Sequence, residues 1–144
     1  MSTVQTHAGQ SAVGQELDVQ YLTGEAYEVS VRGHRVRVDQ PAEIGGDDTA
    51  VTPTELFVAS LATCVAFYAG RYLTRHGYSR EGLGVSAEYE LARDRPARVS
   101  AVHITMRVAD SLPAKRRAAL HAVASRCTVH NSLIDPPRVI IALA

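Results

Sequence analysis

Alternating apolar and polar residues dominate the N-terminal third of the chain. The pattern occurs three times, over residues 15–22, 25–32 and 34–39, and each run is rich in β-branched side chains. Such alternation is typical of strands with one covered face, so we predict three strands. Residues 42–51 carry two glycines, two aspartates and one threonine with no period, which predicts a loop.

The next segment has the composition and the end signals of a helix. Thr52, Pro53 and Glu55 form a capping-box pattern with proline at the first helical position. Gly77 ends the pattern, and the basic residues just before it suit the negative end of the helix dipole. We predict one long helix from Pro53 to the residue before Gly77.

The second half of the chain contains both the alternating pattern that is typical of strands and the spacing of apolar residues that is typical of helices. We predict strands over 83–92 and 97–109, a helix over 114–127, a loop or broken helical turn over 128–137, and a last strand over 138–143. Runs of strands that pair as hairpins, with helices between the runs, favour an α+β fold with antiparallel sheets over a doubly wound sheet.

Charge and composition narrow the possible functions. Fifteen Lys and Arg balance fifteen Asp and Glu, so we expect neither nucleic acid nor a membrane surface as a partner. Residues 1–14 lack the features of a secretory signal and predict a flexible tail. The longest apolar stretch, 56–70, is shorter than the ~20 residues of a membrane span. We therefore expect a cytoplasmic protein with a single domain over 15–144.

The predicted long helix is apolar on nearly all of its faces. Its apolar residues near the centre are Leu56, Phe57, Val58, Leu61, Val65, Ala66, Phe67 and Tyr68. Such a helix must be covered on every side, and one sheet from a chain this short covers only one. We therefore predict a homodimer with this helix buried at or near the shared core. The alternative is a monomer whose second helix covers the remaining face.

The two cysteines are Cys64 and Cys127. Cys64 lies more than two turns inside the long helix, where the dipole of the helix start no longer favours a thiolate. Taken alone, Cys64 is therefore best interpreted as an inert core thiol. Cys127 changes that interpretation, because a pair of cysteines in a reducing compartment serves redox chemistry, metal binding or packing rather than a structural disulfide.

Two segments carry a resemblance to a known family. "TPTELFVASLATC" ends at Cys64, and "RCTVHNSL" contains Cys127, sixty-three residues later. Together they resemble the OsmC/Ohr family of thiol-dependent hydroperoxidases, in particular its OsmC-like branch, over roughly residues 15–144. The resemblance implies an intertwined homodimer with the long helix at its centre and active sites at the subunit interface. It also implies a peroxidase that reduces organic hydroperoxides to alcohols, and we expect no cofactor.

The resemblance further implies a role for each cysteine. Cys64 is the peroxidatic cysteine, which becomes a sulfenic acid, and Cys127 is the resolving cysteine, which converts it to a disulfide. A dithiol reductant of lipoyl type then reduces the disulfide. We expect Cys127 to stay protonated, because we predict it at the C-terminal end of a helix, where the dipole disfavours a thiolate.

The resemblance also implies an arginine from the N-terminal strands that activates Cys64 and a glutamate that holds it. Arg35 and Arg32 are the candidates in this chain. The glutamate departs from the family pattern: Thr54 stands ten residues before Cys64, and Glu55 follows it. Nine residues at ~100° each place Glu55 on the opposite side of the helix from Cys64. Helix capping and orientation of the arginine both remain open roles for Glu55.

Two other interpretations compete with the peroxidase. Cys127 and His130 have the spacing of two metal ligands, but no second pair completes a structural zinc site, so we expect no metal. His130 is expected to form hydrogen bonds near the thiol or to cap the loop. The displaced glutamate motivates a different alternative, a non-catalytic redox-sensing or apolar-ligand-binding protein. The acidic loop residues Glu43, Asp47 and Asp48 are interpreted as solvated.

Overall fold

The computed structural model describes residues 15–144, and the predicted flexible tail over 1–14 lies outside them. The chain divides into two compact units, the first ending at Pro53 and the second covering Thr54–Ala144. The fold combines antiparallel sheets with α-helices, which confirms the predicted α+β class. The prediction of a single domain over 15–144 stays a prediction.

The first unit contains the three predicted strands. These are β1 (Asp18–Thr23), β2 (Ala26–Val31) and β3 (His34–Val38), and they form one antiparallel sheet in that order. The two residues between β2 and β3, Arg32 and Gly33, have φ values of 50° and 81°. Two successive positive φ values are the geometry of a tight hairpin turn, and glycine at the second position accommodates it.

The loop after β3 is built around a buried carboxylate. Asp39 is buried, and its side chain accepts hydrogen bonds from the Thr49 hydroxyl at 2.6 Å and the Thr49 backbone N–H at 3.0 Å. The Thr49 hydroxyl bond is the main reason why the pKa of Asp39 lies below its usual value. The loop also contains a short 3₁₀ helix, Ala42–Ile44. Glu43, Asp47 and Asp48 are exposed, as expected for solvated loop residues.

The second unit packs helices against a hairpin. Its elements are α1 (Pro53–Arg75), β4 (Gly84–Leu91), β5 (Val99–Arg107), α2 (Ala114–Ala124) and α3 (Thr128–Ile134). Strands β4 and β5 pair antiparallel. The long helix begins at Pro53 as predicted, since a missing N–H costs nothing in the first turn.

One stripe of α1 forms the centre of the core. Leu61, Val65, Ala69 and Leu73 recur every four residues and are buried in a cluster with Leu120, Ala124 and Cys127. The opposite side of α1 is open, and Phe67 on that side is 51% exposed. α2 therefore covers the same side of α1 as the rest of the core, and the open side remains without a cover in the described chain.

By length and composition, the 23-residue helix α1 is apolar enough to cross a membrane, so the expectation that this segment is too short was wrong. The apolar stretch over 56–70 is extended by residues of the last helical turns. Core helices of soluble proteins pass the same test, and the buried stripe of α1 belongs to the core.

Three predictions in the C-terminal third are wrong. The segment interpreted as a loop or broken turn forms α3, and α2 ends at Ala124 rather than near Cys127. Residues 138–143 form no strand. A strand requires a neighbouring edge for its backbone hydrogen bonds, and in residues 15–144 no strand pairs with this segment. Its apolar residues Val139, Ile140, Ile141 and Leu143 are strongly exposed.

Candidate functional site

Cys64 lies near the middle of α1, on the border between its buried stripe and its open side. It is half-buried and packs against the core cluster that contains Cys127. Ser60, one turn earlier, donates to the Phe57 carbonyl at 2.6 Å, so this hydroxyl is occupied by its own helix. Cys64 therefore combines an apolar surrounding with a route to solvent.

Cys127 lies in the short connection between α2 and α3 and is fully buried. It is the N-cap of α3, and its Sγ accepts a hydrogen bond from the backbone N–H of His130 at 3.4 Å. The predicted position at the C-terminal end of a helix is therefore wrong, and the dipole argument for a protonated Cys127 does not apply.

The connection around Cys127 is stabilised by its own side chains. The His130 ring lies with Nδ1 2.6 Å from the carbonyl oxygen of Ser125, and since a carbonyl only accepts, Nδ1 carries the proton. Asn131 donates from Nδ2 to the Arg126 carbonyl at 3.2 Å. As expected, His130 forms hydrogen bonds next to the thiol, and its backbone rather than its ring contacts the sulfur.

The two thiols interact with each other, and both are free. Burial raises the pKa of Cys127, the His130 N–H acts in the opposite direction, and the side-chain hydrogen bond and charge of Cys64 raise it further. The conclusion that Cys127 is a protonated thiol at neutral pH is therefore retained, with burial instead of the helix dipole as its cause. A half-exposed thiol thus lies against a buried, protonated one.

The candidate arginines belong to the N-terminal unit. Arg35 lies on β3 opposite Ser30, and its Nε is 3.8 Å from Oε1 of Glu28 with 75% of the side chain exposed. Arg32 lies in the β2–β3 turn rather than on a strand. Glu55 is exposed in the first turn of α1. The predicted roles of Arg35, Arg32 and Glu55 toward Cys64 remain predictions.

The contact between Tyr68 and Thr128 was not predicted from the sequence. Tyr68 follows Cys64 by one helical turn, and its hydroxyl lies 2.8 Å from the Thr128 hydroxyl. The i,i+4 spacing places Tyr68 on the same helix face as Cys64, and Thr128 directly follows Cys127. The spacing was the available signal, but the partner lies sixty residues away in the chain.

A cavity of about 200 Å³ lies beside the buried stripe of α1. Apolar side chains of α1 and β5 form most of its wall, including Leu61, Val65 and Ile104, and His121 and His130 supply polar groups. In residues 15–144, no group of three or more His, Cys, Asp or Glu side chains is arranged to hold a metal ion.

The comparisons with known proteins agree with this architecture. The family model for OsmC-like proteins matches residues 45–142. A crystal structure described as a putative osmotic stress induced and detoxification response protein from Psychrobacter arcticus 273-4 is 25% identical, with a TM-score of 0.74 over 81% of this chain and 85% of that one. No curated protein matches significantly.

Two further solved structures have the same fold at lower identity. An organic hydroperoxide resistance protein OsmC from Legionella pneumophila, also described as a predicted redox protein, is 19% identical, with a TM-score of 0.60 over 86% of this chain and 91% of that one. An OsmC-like protein of unknown function from Vibrio cholerae is 16% identical, with a TM-score of 0.66 over 83% and 92%. Because the family model covers well over half of the chain, this protein belongs to the OsmC family.

Proposed function

We propose that this protein is a thiol peroxidase that reduces organic hydroperoxides to alcohols, with Cys64 as the attacking and Cys127 as the resolving cysteine. The observation that supports it most is the packing of Cys64 against the buried core cluster that contains Cys127, with both thiols free. One of them is accessible from solvent and the other is buried and protonated. Family membership and the redox description of the Legionella relative agree with this chemistry.

The proposed reaction has two steps before reduction. The Cys64 thiolate attacks one peroxide oxygen, the O–O bond breaks, and the alkoxide takes a proton to leave as the alcohol. Cys64 is then a sulfenic acid. The Cys127 sulfur displaces its hydroxyl, which leaves as water with the Cys127 proton, and a Cys64–Cys127 disulfide forms. A dithiol of lipoyl type reduces this disulfide by two exchange steps and becomes a cyclic disulfide.

The surroundings of Cys64 favour an organic peroxide over hydrogen peroxide. Cys64 packs against apolar residues of the core, and exposed apolar side chains such as Phe67 lie on the neighbouring open side of α1. Burial of an apolar substituent contributes about 25 cal/mol per Å² of surface, a contribution that hydrogen peroxide lacks.

We also propose that the active protein is a homodimer. The open side of α1 and the unpaired apolar segment over 138–143 both expose side chains that a second copy of the chain would cover. We propose a cytoplasmic location, where a dithiol reductant is maintained. Activation of Cys64 is assigned to Arg35 or Arg32, with Glu55 as the acidic partner or as a helix cap.

Two serine variants test the proposed roles. Cys64→Ser should lose all turnover of cumene hydroperoxide with dihydrolipoamide and remain dimeric by light scattering. Cys127→Ser should still consume one peroxide per chain, because Cys64 is present, but should not form an intramolecular disulfide. Wild-type turnover by Cys64→Ser would refute the assignment.

The cavity beside α1 favours a second candidate function. A cavity of about 200 Å³ with mainly apolar walls is suited to a small apolar ligand, so a non-catalytic ligand-binding or redox-sensing protein is the alternative. Free-thiol counts after one equivalent of cumene hydroperoxide separate the two. Rapid loss of two thiols per chain supports the peroxidase, whereas slow loss, or loss of one thiol, supports the alternative.

A further inference from the structure

One hydrogen bond joins the immediate neighbours of the two cysteines. The Tyr68 hydroxyl lies 2.8 Å from the Thr128 hydroxyl. Tyr68 is one turn beyond Cys64 on the same face of α1, and Thr128 is the first residue of α3, directly after Cys127. The bond therefore connects the helix that carries the first thiol with the segment that carries the second.

The other hydrogen bonds around Cys127 do not make this connection. The bonds from the His130 backbone to Cys127, from the His130 ring to Ser125 and from Asn131 to Arg126 all stay within residues 125–131. They hold the segment in its own conformation but do not attach it to α1. The Tyr68–Thr128 bond does, and it lies at the surface, since Tyr68 is half-buried and Thr128 is exposed.

Disulfide formation depends strongly on such an attachment. A disulfide forms only when the two Cβ atoms come within about 3.5–4.5 Å with a restricted dihedral angle. A sulfenic acid at Cys64 waits for the Cys127 sulfur to reach that geometry. Any contact that keeps α3 in place against α1 raises the fraction of time spent there.

We propose that Tyr68 is a positioning residue that holds Cys127 within reach of Cys64 through its hydrogen bond to Thr128. The proposal rests on the proposed function for its role in turnover, but the geometry that it describes exists in the reduced protein without any peroxide. Tyr68 takes no part in bond making: Cys64 sulfenic acid and the Cys127 thiol yield the disulfide and one water molecule.

The test measures oxidation and resolution separately in Tyr68→Phe. After addition of cumene hydroperoxide, we expect an unchanged rate of Cys64 oxidation. The Cys64 sulfenic acid should persist about fivefold longer, because loss of one hydrogen bond typically changes an equilibrium by about this factor. Dimedone trapping followed by mass spectrometry measures this lifetime. Thr128→Val should give the same lifetime, and the double variant no further increase.

Tyr72→Phe is the matched control. It removes the same atom one turn further along α1, where the hydroxyl lies 3.5 Å from Nη1 of Arg116 and away from Thr128. The control should leave the sulfenic acid lifetime unchanged. Equal lifetimes in the wild type and Tyr68→Phe, or equal lengthening in Tyr68→Phe and Tyr72→Phe, would overturn the positioning role.

A second oxidant separates this proposal from the proposed function. Diamide takes two electrons and two protons from a pair of thiols, becomes a hydrazine, and requires no peroxidase activity. We expect diamide to form the Cys64–Cys127 disulfide about fivefold more slowly in Tyr68→Phe than in the wild type. If peroxide gives no sulfenic acid in the wild type while this diamide difference is present, the proposed function fails and the positioning stands. Equal diamide rates overturn the positioning.

Discussion

Cys64 and Cys127 are both free thiols of one core, yet their surroundings differ in almost every respect. Cys64 belongs to the interior of a regular 23-residue helix and borders an open, apolar side. Cys127 belongs to a connection between two helices, is fully buried, and uses its sulfur as a helix cap. The difference teaches that access to solvent separates the two thiols, and that the regularity of the element that carries each thiol does not decide it.

The largest expected effect is a difference in alkylation rate. Iodoacetamide at pH 8 should modify Cys64 at least about tenfold faster than Cys127, because reaching Cys127 requires local opening that costs ~1.4 kcal/mol or more. Burial also keeps the Cys127 thiol protonated, since it raises its pKa. Peptide mass spectrometry over time measures both rates in one sample. Equal rates in the native protein would remove the basis of the comparison.

A smaller effect is expected from the side chain that stabilises the Cys127 connection. His130→Ala removes the ring hydrogen bond to the Ser125 carbonyl and should lower the free energy of unfolding by about 1 kcal/mol. It should also speed alkylation of Cys127 without changing that of Cys64. Urea unfolding and the same alkylation assay measure the two effects.

His121→Ala is the control for this change. His121 is exposed on α2, and in the described chain its ring makes no hydrogen bond, so its loss should change stability by less than about 0.5 kcal/mol. If His121→Ala and His130→Ala behave alike, the ring hydrogen bond does not hold the Cys127 connection.

The smallest expected effect concerns pH. Since the pKa of Cys127 in the folded protein is raised above the ordinary value of 9.0, the folded state keeps this proton at pH values where the unfolded chain has lost it. The stabilising contribution is complete below about pH 9 and decreases as pH rises toward the folded pKa. Wild-type stability should therefore fall more steeply than that of Cys127→Ala above pH 9 in urea titrations. Parallel curves would contradict the raised pKa.

The sequence was sufficient for elements with a strong local period. The three N-terminal strands and α1 follow from alternation, from Pro53 at the helix start and from Gly77 after its end. α3 was missed because its cap is the sulfur of Cys127, which is not among the usual capping side chains, and because two prolines soon follow. The strand predicted over 138–143 has the right composition but lacks a partner edge in residues 15–144.

The site could be predicted only in part for a similar reason. The resemblance of two short segments pointed to Cys64 and Cys127 as candidates, but not to how each thiol is surrounded. The burial of Cys127, its capping bond and the Tyr68–Thr128 contact all depend on how distant segments pack. Local periodicity contains no information about such contacts. The i,i+4 spacing of Cys64 and Tyr68, in contrast, predicts from the sequence alone that they share one helix face.

Peptide mapping of the protein after one equivalent of cumene hydroperoxide tests the central claim most directly. Samples are quenched with an alkylating agent at increasing times and digested without reduction. The account predicts one disulfide within each chain, between Cys64 and Cys127, that forms as the peroxide is consumed. Cys64–Cys64 links between chains, or two unmodified thiols after the peroxide has been consumed, would contradict it.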